Sequence, residues 1–171
     1  GSLLLWVMAT GFSSSQDYFF GHTTLPAYAN RIQLYTTQDN LTLGLGDQHR
    51  VRVNIQRLLP NQWYHLALTW NAGSYAVFVD GVEKSAGSYA GLGSIGSVHL
   101  GNNGNPLNVS EAFSGIVDEV RMYAKSLNQS EIAVIMTGMV EENLITNESV
   151  TNNSAPFCGD GIIGETEVCE I

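Results

Sequence analysis

The sequence predicts an all-β antiparallel fold, a sandwich or a barrel, with one short C-terminal helix. Short runs of β-forming residues recur at roughly 8 to 12 residue spacing, divided by turn residues. Several runs alternate apolar and polar positions, as a strand with one wet face does. One segment near residue 130 carries helical spacing instead. This pattern excludes an alternating α/β fold.

The elements follow in order. Leu3 to Thr10 is a near-continuous apolar run, expected of a strand covered on both faces. Asp17 to Gly21 is short and aromatic, and Asn30 to Thr36 alternates around Ile32 and Leu34. Leu41 to Leu45 alternates, Gly46-Asp47 reads as a turn, and Arg50 to Ile55 sets Val51, Val53 and Ile55 against Arg50, Arg52 and Asn54. Trp63 to Trp70, Tyr75 to Asp80 and Val82 to Ala86 form a three-stranded meander, joined by Asn71-Ala72-Gly73-Ser74 and by Asp80-Gly81, a favoured hairpin turn. Gly87 to Gly96 is a Gly/Ser-rich loop, Ser97 to Gly101 a short strand, and Asn102 to Pro106 a second loop. Phe113 to Tyr123 is a long strand. A capping box of Ser126 and Gln129 is expected to start the helix, Ile132, Ile135 and Met136 give its apolar face, and Gly138 ends it.

The chain of 171 residues has material for one ordinary domain (1–138), with a polar linker or tail (139–157) and a short cysteine-bearing segment (158–171) behind it. Hydrophobic residues make up 44% and charged residues 13%, which excludes disorder of the whole. A net charge of −9 repels phosphate backbones and anionic lipid, so nucleic acid is excluded as a partner. No stretch reaches the roughly 20 apolar residues of a membrane span, so no membrane insertion is expected. Leu3 to Met8 lacks the basic start and cleavage site of a signal peptide, so the chain reads as a mature product or an excised piece. Cys158 and Cys169 form either one local disulfide or a pair of free thiols. Asn-x-Ser/Thr acceptor sequences begin at Asn40, Asn108, Asn128, Asn147 and Asn152; with a disulfide they point to an extracellular or cell-surface location.

Residues 61 to 138 carry a further pattern. Trp63-Tyr-His65-Leu-Ala-Leu-Thr is followed by Val77-Phe-Val-Asp80-Gly81, then Phe113-Ser-Gly115-Ile-Val-Asp118-Glu119-Val-Arg-Met-Tyr123, Leu127 and Glu131-Ile132. It resembles the laminin-G-like and pentraxin-like group of concanavalin-A-type jelly rolls. The resemblance implies a two-sheet antiparallel jelly-roll sandwich. It also implies a strand or two before Ser2, whose slot would be filled by residues 139–157, by another copy, or by residues preceding this chain. Cys158-Gly-Asp160-Gly to Cys169 resembles the opening of a cysteine-rich repeat of large secreted proteins.

A retaining glycosidase needs two carboxylates about 5 Å apart. Asp118 and Glu119 are adjacent and would face opposite sides of a strand, while Glu165 and Glu167 lie outside the sandwich. His22, His49, His65 and His99 are scattered, no Gly-x-Ser-x-Gly elbow occurs, and His65 reads as structural. No enzyme is expected. The resemblance makes Asp118 the candidate ligand for a Ca2+ ion. Sugar recognition would use exposed aromatics and amides. Tyr18 and Phe20, in an aromatic cluster with Phe19, His22 and Tyr28, and Asn102 and Asn103 in the Asn-rich loop are the candidate ligand contacts. Two functions follow: an extracellular adhesion or recognition module for glycan or a surface protein, or a structural subunit that self-associates by donating a strand between copies.

Overall fold

The structure, a computed structural model, describes residues 1–13, 15–51, 56–105 and 112–138. By compactness the chain divides into Gly1–Met139 and Val140–Ile171. The second unit, with Asn147, Asn152, Cys158, Cys169 and the expected linker, lies outside the described residues, as does Asn108.

Ten strands and one helix occur among the described residues: β1 (Ser2–Ala9), β2 (Gln16–Thr24), β3 (Ala29–Thr37), β4 (Asn40–Gly46), β5 (Gln48–Val51), β6 (Trp63–Asn71), β7 (Ser74–Val79), β8 (Val82–Ser88), β9 (His99–Leu100), β10 (Gly115–Tyr123) and α1 (Gln129–Met136). They form two five-stranded antiparallel sheets, ordered β10-β1-β6-β7-β8 and β5-β4-β3-β2-β9. This is the jelly-roll sandwich. Alternate residues of each strand meet between the sheets: Leu3, Leu5 and Val7 of β1, Leu66 and Leu68 of β6, and Val77 and Val79 of β7 pack with Ile32 and Leu34 of β3 and Leu41, Leu43 and Leu45 of β4. Burying each such side chain stabilises the fold by roughly 1.5–3 kcal/mol.

Turn chemistry sets the register of the meander. Ala72 and Gly73 both have positive φ, 46° and 84°, in the two-residue loop between Asn71 and Ser74. Asp80 and Gly81 repeat this at 50° and 75° between Val79 and Val82. Two left-handed residues in a two-residue loop match the twist of the flanking strands.

The near-continuous apolar run of β1 has a physical cause. Its odd positions face the inter-sheet core, while Leu4 on the outer face is covered by α1, together with Ala67, Phe78, Leu127 and Ile132. The helix starts two residues later than expected. Asn128, not Ser126, is the cap: its side chain accepts the Glu131 N–H at 3.0 Å, and Glu131 returns a bond from the Asn128 N–H at 2.7 Å. Leu127 before the cap and Ile132 after it meet as a hydrophobic staple. The Leu127 N–H is fixed by the Ser2 hydroxyl at 2.8 Å, so tertiary contact decides between the two capping sequences. Gly138, φ 66°, follows the Thr137 C-cap.

Both sides of β1 are paired, with β10 and β6. The sheet edges are β10 and β8, and β5 and β9. β10 bulges at Glu119, φ 47°, where the register with β1 shifts between Leu4 and Trp6. A bulge with exposed charge hinders edge-to-edge pairing.

Candidate functional site

The β2–β3 connection carries a cis Leu25–Pro26 bond and Tyr28 at positive φ (51°), and Asn30, the second residue of β3, also has positive φ (53°). Asn30 pins it to the Gly/Ser-rich loop: its Nδ2 donates to the Ser94 carbonyl at 2.7 Å, and its Oδ1 accepts the Gly93 N–H at 2.6 Å. His22, buried at the end of β2, lies with Nδ1 2.9 Å from the Ser97 carbonyl. A carbonyl only accepts, so Nδ1 carries the proton and Nε2, 3.4 Å from Asn30 Nδ2, is the acceptor in the neutral ring. His99 pairs with Gly21 in the sheet.

A third segment, residues 102–105, closes the site. Asn102 Oδ1 accepts the Gly104 N–H at 3.0 Å and Asn103 Oδ1 the Asn105 N–H at 2.8 Å. The Asn103 carbonyl accepts from Gln33 at 2.7 Å, clamping the loop over β3. Gly21 permits that approach, because a Cβ there would collide with the backbone of Asn102 and Asn103. Asn105 Nδ2 donates to the Tyr28 hydroxyl at 2.9 Å.

The three segments enclose an open cleft of about 410 Å³, lined by His22, Thr23, Thr24, Leu25, Ser94, Gly96, Ser97, His99 and Gly104. Tyr28, 41% exposed, stands beside it through its bond to Asn105, and Leu25 is equally exposed. Among the described residues, the Ser94 and Ser97 hydroxyls and the His99 ring make no hydrogen bond, which leaves them for a ligand. A second cleft of about 470 Å³ is lined by Phe12, Ser13, Gln38, Asp39 and Arg57. It adjoins the β3–β4 turn, the far end of β3 from Asn30, and its Arg57 is paired with Asp39.

Two predicted contacts are corrected by burial. Tyr18 and Phe20 are each 1% exposed: Tyr18 stacks on Tyr35 with ring centroids 4.4 Å apart, and Phe20 lies in the inter-sheet core. A sugar cannot reach either ring. Asn103 is buried as well, and it and Asn102 turn their side chains onto their own loop, shaping the cleft rather than lining it. Of the predicted aromatic cluster, His22 and Tyr28 are brought to the cleft. Ser94, Ser97 and His99 were missed; the glycine-rich run before them signalled a loop but not its target.

Asp118 is exposed on β10, and one of its oxygens accepts the Glu119 N–H at 2.7 Å. Glu119 pairs with Arg121 at 3.2 Å. A calcium ion needs six to eight oxygen ligands, and no group of three His, Cys, Asp or Glu side chains converges among the described residues. Asn40 and Asn128 are exposed, and Asn128 spends only its Oδ1 on the helix cap.

His65 is buried beside Trp6, ring centroids 5.2 Å apart, with its backbone N–H donating to Asp80 at 2.8 Å. Nδ1 has no partner. Burial pushes its pKa down to about 4, against the pull of Asp80 and with a small push from Arg121. A ring so enclosed serves packing.

Sandwich architecture and an end-of-sheet cleft define a lectin-like β-sandwich domain. The chain belongs to the concanavalin A-like lectin/glucanases superfamily, whose laminin G family model matches residues 1–133. No curated protein sequence matches the chain. Among solved structures it is similar to domain 4 of an extracellular arabinanase from Geobacillus stearothermophilus, in complex with arabinotriose (27% identity, TM-score 0.64, 79% of this chain and 65% of that one). It is also similar to a pentraxin from Limulus polyphemus (18%, 0.64, 79% and 68%) and to a Ruminococcus gnavus sialidase CBM40 bound to sialyllactose (14%, 0.64, 80% and 82%). The chain thus spans 65% of the arabinanase domain's length.

Proposed function

We propose that this chain is a non-catalytic extracellular recognition module that binds glycan in the cleft between the β2–β3 turn and the loops at 93–99 and 102–105. The observation that carries the reading is the cleft itself: unspent hydroxyls and an imidazole for sugar hydroxyls, with an anchored aromatic and an exposed leucine beside them. Pinning by Asn30 and Asn105 means that little loop entropy is lost on binding. The complexes of the arabinanase domain with arabinotriose and of CBM40 with sialyllactose support it. Among the described residues no carboxylate lines the cleft, so it offers no acid/base pair for glycoside hydrolysis. The extracellular reading is supported by the acceptor sequences at the exposed Asn40 and Asn128 and by the extracellular arabinanase as structural neighbour. A glycan array tests it. Binding that falls in Tyr28→Ala and in a Ser94→Ala/Ser97→Ala double variant supports the reading, and binding to no saccharide overturns it.

A second reading, self-association by strand donation, is favoured by one observation. β9 has two residues and covers β2 only at Phe20 and Gly21, leaving apolar Val98 and Leu100 exposed at that edge. Light scattering separates the two, since a monomer at all concentrations ends the second.

A further inference from the structure

Resting on the glycan-binding reading, we infer that the cleft takes uncharged saccharides and discriminates against anionic ones, those carrying sialic or uronic acid carboxylates. A sugar carboxylate buried against protein needs a cation or a convergent set of N–H donors, and Arg, which meets it with two parallel bonds, is the usual provider. The chain has seven Lys and Arg in all. Arg31, next to Asn30, is not among the residues lining the cleft and donates to the Asp47 carbonyl at 2.9 Å. Arg57 is held by Asp39 in the other cleft, Arg121 by Glu119 on β10, and Lys125 by Glu131 at the helix start. Lys84 lies on β8 of the other sheet, and Arg50 on β5, three strands removed from β2. Arg52 lies outside the described residues, in the connection that leaves β5.

Among the described residues no Lys or Arg lines the cleft. Residues 106–111, which continue from the cleft's third segment, contain one Glu and no Lys or Arg. The strongest N–H donors near the cleft are already spent: the Asn30 amide on Ser94, the Gly93 N–H on Asn30, the His22 Nδ1–H on Ser97 and the Asn105 amide on Tyr28. What remains is hydroxyl groups and an imidazole. A hydroxyl both donates and accepts, which matches a neutral sugar's hydroxyls and stabilises a desolvated carboxylate poorly. The chain's net charge of −9 adds a long-range repulsion toward polyanions.

The test uses matched pairs at pH 8, above the ordinary imidazole range. Lactose is compared with 3′-sialyllactose, and arabinan with polygalacturonate, by calorimetry on the full chain in low and high salt. The expected result is that the neutral member of at least one pair binds about tenfold tighter or better, with affinity unchanged by salt. Tighter binding of the acidic members, weakened by salt, overturns the inference and leaves glycan binding standing. Binding of neither member of any pair, with no saccharide bound on the array either, overturns both. Ser97→Arg, at an exposed cleft position, gives a positive control of the logic. It should raise affinity for 3′-sialyllactose by about tenfold while lactose binding holds or falls, and no gain contradicts the charge argument.

Discussion

His65 makes the stability of this domain depend on pH in a window set by burial. Its ring is enclosed by Trp6 and by the outer face of the first sheet, and Nδ1 finds no partner there. The folded imidazole takes its proton only near pH 4, while the unfolded one takes it near 6.5. Between those values the unfolded state binds more protons, so stability is present above 6.5 and is lost as pH falls toward 4. From pH 7.5 to 5.0 the cost is about 2 kcal/mol, and the full gap is worth at most about 3 kcal/mol. Asp39 and Glu131, whose carboxyls Arg57 and Lys125 hold below their ordinary values, add their own acid sensitivity, so the readout is a difference. Urea unfolding followed by circular dichroism at both pH values should show wild type losing about 2 kcal/mol more than His65→Phe, which keeps a flat ring against Trp6. Equal losses in the two proteins would show that water reaches the ring and would refute the reasoning.

Gly21→Ala forces a methyl group into the backbone of Asn102 and Asn103; it should cost about 1–3 kcal/mol by urea midpoint and weaken glycan binding, since the third wall of the cleft is displaced. Asn128→Ala removes the capping bond to Glu131 and should cost about 1 kcal/mol, measurable by thermal unfolding, while glycan affinity is retained. Tyr28→Ala should lower glycan affinity roughly tenfold with the unfolding midpoint little changed, because the ring is exposed. Chelation with EDTA should leave glycan affinity unaltered, because among the described residues no carboxylate lines the cleft; loss of binding on chelation, restored by calcium, would refute that.

The fold was legible because its local chemistry agrees with its global packing. Asp80-Gly81 and Ala72-Gly73 name their own turns, and the unbroken run of β1 records two covered faces. The helix was legible in kind but not in phase, since Ser126/Gln129 and Asn128/Glu131 both fit a capping box and only the burial of Leu127 under α1 chooses. The site was legible in part. Tyr18 and Phe20 look like ligand contacts in sequence, but the register shift between them and the stacking on Tyr35 place both inside. The residues that line the cleft, Ser94, Ser97 and His99, are brought to His22 by pairing across some 75 residues, as in the His22–Ser97 contact, which no local spacing encodes. Glycine-rich loops carry little pattern, so their function depends on what pins them; here it is Asn30.

The central claim is that the cleft at the β2–β3 turn receives the saccharide. An amide-resolved NMR titration of the chain with arabinotriose, or with the tightest neutral glycan from the array, tests it most directly. Saturable shifts should concentrate in residues 22–30, 93–99 and 102–105, with the Phe12–Arg57 cleft and the exposed Trp63 and Ile116 unmoved. Shifts centred on either of those other surfaces, with residues 22–30 silent, would contradict it.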